Sequence, residues 1–413
     1  MVSICMYFQV HQPLRLRRYS VFDVGKHTPY FDEQKNTDVL RKVAEKCYLP
    51  ATALLKELIA LHDGKFKVAF SFSGVVLEQF EQHAPAVLRA FQELVNTGHV
   101  EILAETYYHS LASLYSTKEF KEQILLHRKK VKALFGITPT VFRNTELIYH
   151  NEIAQCIASL GYVGILAEGW EHYLQWRSPN FVYRPIGTEN LSLLLKNYKL
   201  SDDIAFRFSN KTWTDHPLTA PKFANWINAI NGNGEVVNLF MDFETFGEHQ
   251  WEDTGIFRFL AHLPAELLKH QDNQFLLPRE VVEQHKPVAE LDIPYALSWA
   301  DLERDVSAWV GNKMQQSAIQ ELFALEPTVK GLNDLHLLDL WRKLQTSDHF
   351  YYMCTKYFTD GDVHKYFNPY DTPYDAFIAY MNVLNDFIIR VKEQQALQRK
   401  MEVGSGEMGN LKT

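Results

Sequence analysis

The chain of 413 residues is 46% hydrophobic and 13% aromatic, which supplies enough apolar surface for a large core and excludes a disordered chain. It carries 50 acidic and 42 basic residues, a formal net charge of -8, and no basic block to which a nucleic acid could bind. This composition favours a neutral polar partner such as a sugar.

The amino terminus, "MVSICMYFQVHQPLRLRR", places its arginines after an apolar run, the reverse of a secretory signal, which predicts a cytoplasmic protein. Four widely spaced cysteines without a CxxC pair are typical of reduced thiols in that compartment. No apolar stretch approaches the roughly 18 to 20 residues of a membrane helix, so no membrane contact is expected. The sequence leaves the oligomeric state open.

Seven short runs rich in apolar and β-branched residues predict strands that are buried on both faces. In chain order they are residues 3–10, 67–72, 100–105, 139–144, 162–168, 191–196 and 235–241. Helical spacing of apolar residues occupies 38–62, 84–98 and 117–136, of which the last two end at a glycine, as helices often do. The alternation of strands and helices predicts a parallel sheet.

Seven such strands within the first 270 residues favour an α/β barrel or near-barrel, with an open doubly wound sheet as the alternative. Beyond about residue 296 the pattern changes to amphipathic helices, at 300–325, 331–353 and 375–400. We therefore divide the chain into three parts. They are a catalytic barrel (1–295), a C-terminal helical domain that completes the active-site cleft (296–400) and a flexible tail (401–413).

Polar, titratable and aromatic residues stand at the end of every predicted strand. In order, the strands are followed by "HQP", "SG", "ETYYHS", "NTELIYHN", "EGW", "NYKLSDD" and "DFETFGEHQW". In a parallel barrel the carboxyl ends of the strands share one face, and that face holds the active site. One polar loop is weak evidence, because any strand must end in something polar, but seven together predict an active site at this mouth.

Several of these motifs carry a resemblance to a known family. In order and spacing, "HQP" (11–13), "GHVEI" (98–102), "RNTEL" (143–147) and "DFETFG" (242–247) resemble the conserved regions of glycoside hydrolase family 57. The segment "LQTSDHFYYM" (344–353) resembles the fifth region of its α-amylase and α-amylase-like group. The family comprises α-amylases, 4-α-glucanotransferases, branching enzymes and relatives that act on α-glucans. The resemblance implies an incomplete (β/α)7 barrel similar to a TIM barrel, in agreement with the strand count.

The resemblance also implies roles for individual residues. Glu146 matches the family's catalytic nucleophile, and Asp242 matches its general acid/base. His11, Glu101 and Glu244 match positions that line the first sugar subsite in relatives. An α-glucan or maltooligosaccharide is therefore the implied substrate.

Other residues are further candidates for substrate binding. Asp348 and His349 match the fifth region, whereas Thr145 stands where other subgroups have an aromatic residue before the nucleophile. Arg207 has two interpretations, because it could pair with a catalytic carboxylate or tie its loop to the barrel. Flat rings suit the apolar faces of glucose. The aromatic residues expected near the mouth are Tyr107, Trp170, Trp251, Trp299 and Trp309.

Hydrolysis with retention of configuration at the anomeric carbon needs two carboxyl groups. One attacks the anomeric carbon and the other protonates the leaving oxygen, about 5 to 5.5 Å away. Glu146 and Asp242 lie on different predicted strands, so they can face each other across a barrel mouth. The acid must hold a proton near neutral pH, and burial or a nearby negative charge, such as that of Glu146 or Glu244, raises a carboxyl pKa in that way.

Metal-dependent enzymes with related incomplete barrels are a competing class. They need an Asp close to a first-strand His, and this chain has Pro13 at that place, so no metal is predicted. No phosphate-binding glycine loop is present, so no cofactor is predicted either. The prediction is a retaining hydrolase of α-1,4-glucosidic bonds. A 4-α-glucanotransferase or branching enzyme on the same scaffold is one alternative, and a glucan-binding or regulatory homologue with weak turnover is another.

Overall fold

The computed structural model describes the backbone of residues 2–356 and 368–409, and the side chains of these residues as far as residue 401. The strands are β1 Val2–Val10, β2 Val68–Phe72, β3 Val100–Ile102, β4 Val141–Arg143, β5 Gly164–Glu168, β6 Arg184–Pro185, β7 Ser192–Lys196, β8 Val236–Asp242, β9 Asn273–Phe275 and β10 Glu290–Leu291. The seven predicted strands correspond to β1 to β5, β7 and β8.

Helices fill the intervals and the carboxy-terminal third of the chain. They are α1 Glu33–Val43, α2 Leu49–Leu61, α3 Gly74–His83, α4 Pro85–Val95, α5 Ala112–Tyr115, α6 Thr117–Phe135, α7 Asn151–Ser159, α8 Glu171–Leu174, α9 Tyr198–Ala205, α10 Ala220–Asn228, α11 Ile256–Leu268, α12 Pro278–Gln284, α13 Ser307–Val310, α14 Lys313–Ala324, α15 Glu326–Gly331, α16 Leu335–Lys343, α17 Ser347–Tyr351 and α18 Pro373–Gly409. Shorter turns are a π segment, Ala44–Tyr48, and the 3-10 turns Val21–Asp23, Thr145–Leu147, Phe243–Thr245 and Glu252–Thr254.

Seven parallel strands, in the order β3-β2-β1-β8-β7-β5-β4, curl into an incomplete barrel, which confirms the predicted fold class. The barrel has two thin seams. At one, β7 meets β8 through the pairing of Lys196 with Asn238. At the other, Ala104 lies just beyond β3 and bridges β4 through backbone hydrogen bonds of 2.9 Å and 2.8 Å. The short β9, which was not predicted from the sequence, pairs with the amino-terminal end of β1.

Both faces of the barrel strands are buried, as the continuous apolar runs indicated. Successive side chains of a strand point to opposite faces. In β1, Met6 and Phe8 therefore pack against the surrounding helices, and Tyr7 belongs to the apolar cluster inside the barrel. Capping fixes the ends of the helices: Ser116 accepts a hydrogen bond from Glu119 N at the start of α6, and Gly136, at φ 73°, ends that helix.

The carboxy-terminal helices share a core with the barrel. Trp309, Trp341 and Tyr380 are buried in the same cluster as Phe142 and Ile165 of the barrel strands. The first helix of this region, α13, begins at Ser307. The helix predicted for 300–325 was therefore wrong for residues 300–306, which form a loop. Backbone helix α18 extends to Gly409, and residues 410–413 of the predicted tail lie outside the described residues. The division of the chain at 295 and 400 stays a prediction.

Helix α12 closes the amino-terminal end of the barrel. The Arg279 backbone N–H donates to Glu101 on β3 at 2.9 Å, and Glu280 pairs with Lys67 at 2.7 Å just before β2. The carboxyl ends of the strands lie at the opposite end, where the loops leave the barrel. Within residues 2–356 and 368–409, no helix combines the length and the apolar character needed to cross a membrane.

Candidate active site

The interior of the barrel changes from apolar to polar toward the carboxyl ends of its strands. One apolar residue of each strand points inward at the middle level. These residues are Tyr7, Ala69, Leu103, Val141, Leu166, Leu194 and Phe240. Two positions later each strand, or the residue just past it, presents a polar side chain on the same face. We call this set the polar layer: Gln9, Ser71, Glu105, Arg143, Glu168, Lys196 and Asp242.

Hydrogen bonds connect the polar layer across strands. Tyr7 from the level below donates to Gln9 at 2.8 Å and lies 2.7 Å from the hydroxyl of Ser71. Ser71 in turn donates to Glu105 at 2.9 Å. Burial raises the pKa of the Tyr7 phenol, and the negative charges of Glu105 and Asp242 add to the shift. The network therefore links β1 and β2 to Glu105, just past the end of β3.

Glu146 lies just beyond β4 in a strained turn. Its φ is 56° and that of Leu147 is 50°, values that residues with side chains seldom adopt and that cost on the order of 1–3 kcal/mol each. The Trp299 backbone N–H donates to Glu146 O at 3.3 Å and holds this turn in place. This turn places Glu146 in a buried site, where 7% of the residue is exposed.

Three side chains hold the Glu146 carboxylate. Ser347 Oγ donates to Oε1 at 2.9 Å, and Trp299 Nε1 donates to Oε2 at 2.9 Å. His109 Nε2 lies 3.4 Å from Oε1, an ion-pair distance. Burial would raise the pKa of Glu146, but the hydrogen bond and positive charge of His109 outweigh it and lower the pKa to about 2. Glu146 is therefore an ionised, buried carboxylate at neutral pH.

His109 lies between two carboxylates. Its Nδ1 is 3.7 Å from Glu105 Oε1, on the side opposite Glu146. Burial opposes a charge on the ring, but Glu105 and Glu146 together raise the pKa of His109 to about 9. Although burial also opposes the charge of Glu105, His109 and the neighbouring Arg143 lower its pKa to about 2. No role was predicted for Glu105, His109 or Arg143, although "ETYYHS" places a Glu and a His four residues apart at a strand end.

A second group of buried charges surrounds Trp299. Lys196 lies 3.0 Å from Asp202 and 3.6 Å from Glu168, and Arg304 lies 2.9 Å and 3.3 Å from the same two carboxylates. Arg304 also donates to the Trp299 carbonyl, and Lys196 Nζ is 5.5 Å from the centre of the indole ring. These contacts fix the loop that carries Trp299 and hence the indole N–H that reaches Glu146.

Arg143 also lies against the Trp299 indole. Its Cζ is 4.7 Å from the ring centre, a cation–π contact, and its nearest carboxylate is Glu105 at 3.8 Å. The guanidinium is fully buried, and none of its nitrogens makes a hydrogen bond to another described residue. Its donors are therefore available to water or to a bound hydroxyl group. Trp299 supplies the aromatic ring beside Glu146 that Thr145 lacks.

The predicted residue His11 stacks on His109, with ring centres 3.9 Å apart and planes at 19°. Its Nδ1 lies 2.7 Å from Ser73 Oγ, and its Nε2 lies 3.0 Å from Asp348 Oδ2. Burial and the charge of His109 lower the pKa of His11, although Asp348 opposes them. The structure thus brings His11 and Asp348 together beside Glu146. Asp348 is only partly buried, which leaves it open to the mouth of the barrel.

Asp242 and Glu244 form the β8 side of the mouth. Asp242 ends β8 opposite Gln9 and is partly exposed. Glu244 is buried beneath it and accepts hydrogen bonds from the Tyr48 hydroxyl and, at 3.5 Å, from Gln12. Burial and the charge of Asp242 raise the pKa of Glu244 to about 8, so Glu244 carries a proton at neutral pH.

Three predicted site residues lie outside this group. Glu101 points into the barrel from β3, two levels below Glu105, which lies just past the end of that strand, and there Glu101 meets α12. His349 is buried against Tyr380, with ring centres 5.8 Å apart, and burial lowers its pKa to about 4. Arg207 pairs with Asp203, four residues earlier, and its side chain is 41% exposed, so its role, whether at a catalytic carboxylate or in tying its loop to the barrel, stays a prediction.

Among the described residues, no group of three or more His, Cys, Asp and Glu side chains is arranged as metal ligands. The polar side chains instead surround paired carboxyl groups, with donors and an indole on one side and the open mouth on the other. A parallel barrel with this arrangement at the carboxyl ends of its strands has the architecture of a glycoside hydrolase.

Comparison with known proteins defines the family. The family model described as Glycosyl hydrolase family 57 matches residues 5–294, and the chain belongs to that family. A relative from Methanocaldococcus jannaschii named "Putative alpha-amylase" is 46% identical over 399 residues, which cover 94% of this chain and 84% of that protein. An alpha-amylase from Pyrococcus furiosus is 22% identical, over 71% of this chain but only 43% of that longer protein.

Solved structures show the same fold at low identity. A GH57-type branching enzyme from Pyrococcus horikoshii superposes with a TM-score of 0.65 at 16% identity, covering 89% of this chain and 87% of that one. A 4-alpha-glucanotransferase from Thermococcus litoralis gives a TM-score of 0.64 at 15% identity, covering 84% of this chain and 56% of that one. The barrel and its helical region are therefore the architecture of the family.

Proposed function

We propose that the chain is a retaining glycoside hydrolase that cleaves α-1,4-glucosidic bonds of α-glucans, with Glu146 as nucleophile and Asp242 as general acid/base. The observation that carries the proposal is the buried carboxylate of Glu146, which Ser347, Trp299 and His109 hold ionised. A nucleophilic carboxylate must be ionised when the substrate binds, and a neighbouring cation secures this at neutral pH.

The reaction has two steps. In the first, Glu146 attacks the anomeric carbon while Asp242 gives its proton to the glycosidic oxygen, so one C–O bond forms as the other breaks. In the second, ionised Asp242 takes a proton from water, and the hydroxyl attacks the anomeric carbon and releases Glu146. Asp242 needs a proton at the start, and its buried neighbour Glu244, whose pKa is raised to about 8, lets the pair hold one proton near neutral pH.

The names of relatives support an α-glucan as the substrate. The relative that is 46% identical is named as an alpha-amylase, and more distant structures of the same fold are named as a glucanotransferase and a branching enzyme. We favour hydrolysis because the most similar of these is the alpha-amylase. Transfer to a second sugar would use the same glycosyl-enzyme, so chain-length analysis of the products from maltotriose separates the two: hydrolysis gives only shorter products.

Replacement of Glu146 tests the proposal. Glu146→Gln keeps the side-chain shape but removes the nucleophile, so kcat on maltoheptaose should fall by about 10³-fold or more. Azide should restore turnover to Glu146→Ala, because a small anion fits the space that the carboxylate vacates. Glu93→Gln, in an exposed pair with Lys56, is the control and should keep wild-type activity. Undiminished turnover by Glu146→Gln would refute the assignment, and tight glucan binding by an inactive wild type would favour a binding protein.

A further inference from the structure

The loop that follows β5 carries aromatic rings that the proposed chemistry does not use. Trp170 and Tyr173 lie with ring centres 5.6 Å apart, and the ring of His172 is 4.8 Å from that of Trp170. Trp176 follows, with 84% of its surface exposed. Single exposed apolar side chains are common, but several aromatic rings together on the surface mark a binding site more often than chance.

The local structure holds this loop in place and leaves part of it in solvent. Trp170 caps the short helix α8 and Tyr173 lies within it three positions later, so both are on the same side of its turn, and Tyr173 packs partly against the core. Leu174, only 1% exposed, anchors the turn in the core. Gln175 then adopts a φ of 54°, which reverses the chain and leaves Trp176 in solvent. The anchored turn can therefore hold exposed rings without collapsing onto the barrel.

Two other segments bring rings to the same place. Glu168 and Lys196 are paired across β5 and β7, so the loops after these strands leave the barrel side by side. Tyr198 begins the second loop, and a salt bridge between Lys199 and Glu171 joins the two loops. Tyr295, which is 75% exposed, precedes Ala296, which packs against the same core cluster as Tyr173. We call Trp170, Tyr173, Trp176, Tyr198 and Tyr295 the aromatic platform.

The platform is continuous with the candidate active site. The Arg304 guanidinium lies 5.1 Å from the ring centre of Tyr198 and also donates to the Trp299 carbonyl. The Trp299 indole in turn donates to Glu146 at 2.9 Å. Tyr295 stands four residues before Trp299 on the segment whose backbone pairs with Tyr149, just past Glu146. A polymer held at Glu146 can therefore extend over these rings.

We infer that the aromatic platform binds glucose units of an α-glucan chain that lie several residues away from the bond being cleaved. The inference rests on the proposed function, since it takes the substrate class from it. Flat exposed rings suit the apolar faces of pyranose units. Glu171, next to Trp170, is paired with Lys199, and the net charge of -8 disfavours a polyanion. The platform would make the enzyme prefer long chains.

Substrate length provides the test. We compare Trp176→Ala/Tyr295→Ala with wild type in kcat/KM for amylose and for maltotriose, which is too short to reach both sites. The double variant should lose about tenfold on amylose and stay within about twofold on maltotriose. Both rings are exposed, so their loss should leave the fold intact. Phe22→Ala is the matched control, because it removes a ring that is 78% exposed on a different turn. Equal changes on both substrates, or no change on amylose, would overturn the inference.

A binding measurement separates this inference from the proposed function. In the Glu146→Gln background, migration of the protein through a native gel containing amylose should be retarded, and Trp176→Ala/Tyr295→Ala should abolish most of the retardation. If wild type cleaves neither substrate, the proposed function fails, and ring-dependent retardation still supports the platform. Retardation that does not depend on the rings overturns it. Concentration-dependent self-association that is lost in the double variant, with unchanged amylose binding, would identify a contact between two copies instead and also overturn it.

Discussion

Glu101 lies on β3 and Glu105 lies three residues past its end; both point into the barrel and are buried, yet they differ in charge. Four residues of extended chain separate them by about 13 Å. At the carboxyl end, the cations of His109 and Arg143 overcome the burial of Glu105 and lower its pKa to about 2. At the amino end, burial dominates, and the amide and charge of Arg279 offset it only in part, so the pKa of Glu101 rises to about 8.

Because both carboxyl groups are buried, their charged and hydrogen-bonding neighbours must account for the difference between their pKa values. The polar layer contains three carboxylates and two cations: Arg143 lies near Glu105, and Lys196 lies near Glu168. His109 adds a third positive charge beside Glu146. The amino end is closed by α12 and keeps its carboxyl neutral at pH 7. Clustered groups with strongly shifted pKa values are typical of active sites. The following substitutions test whether the two ends differ in function as they differ in charge.

Among the substitutions that test this comparison, His109→Gln should have the largest effect on activity. Gln cannot carry the charge that stabilises ionised Glu146, so the pKa of Glu146 rises above its wild-type value of about 2. We expect kcat/KM for maltoheptaose to fall about 10²-fold at pH 7, from the loss of one preorganised charge. Because Glu146 then takes up a proton sooner as pH falls, the acidic limb of the pH profile should move to higher pH. Rates from pH 3 to 9 measure both effects.

His349→Gln is the matched comparison for His109→Gln. Both histidines are buried, but burial lowers the pKa of His349 to about 4, so it is neutral at pH 7 and packs against Tyr380. Its replacement should leave the acidic limb in place, whatever it does to stability. If both variants shifted the limb equally, the charge of His109 would not be the cause.

Glu105→Gln should have the next largest effect. It removes one of the two carboxylates that raise the pKa of His109 to about 9, so this pKa falls and the ring loses its proton at lower pH. We expect a loss of about tenfold in kcat/KM at pH 8 and a smaller loss at pH 6. Titration of the His109 ring by nuclear magnetic resonance reports the pKa directly. An unchanged ring titration would mean that Glu105 has only a packing role.

Sequence patterns predicted the strands well because each strand is buried on both faces and reads as a continuous apolar run. They could not tell which glutamate of 100–105 reaches the site, since β3 ends at Ile102 and the answer depends on barrel closure at Ala104. The helical spacing of apolar residues also predicted a helix where residues 300–306 form a loop. In that loop Arg304 adopts a φ of 50° and forms salt bridges with Glu168 and Asp202. Contacts between residues far apart in the chain decided both cases: Ala104 bridges Phe142 on the next strand, and Arg304 meets Asp202 and Glu168 more than a hundred positions earlier.

Glu244→Gln should change the pH profile more than the maximal rate. In wild type, Glu244 loses its proton near pH 8 and places a second negative charge beside Asp242. Below that pH the two carboxyl groups share a proton that the general acid needs. Without Glu244 the remaining carboxyl loses its proton earlier as pH rises, so the basic limb of kcat/KM should move to lower pH. Glu248→Gln, buried nearby but paired with Lys42, is the control, and an equal shift there would rule out a specific role.

Glu101→Gln should have the smallest effect on activity, within about twofold, because this residue meets α12 at the amino-terminal end of the barrel, opposite the mouth. Its effect should appear in stability. The folded-state pKa of about 8 exceeds the ordinary value of 4.5, so the folded protein holds a proton that the unfolded chain loses. Stability that Glu101 contributes in its protonated form is therefore complete below about pH 4.5, declines as pH rises to about 8 and stays reduced above it. Gln has no proton to lose, so Tm at pH 9 should rise by about 5 °C relative to wild type but change little at pH 4. A loss of tenfold or more in kcat/KM with an unchanged Tm profile would instead place Glu101 in the substrate site, as the motif "GHVEI" implied, and would remove the functional difference between the two ends of the barrel.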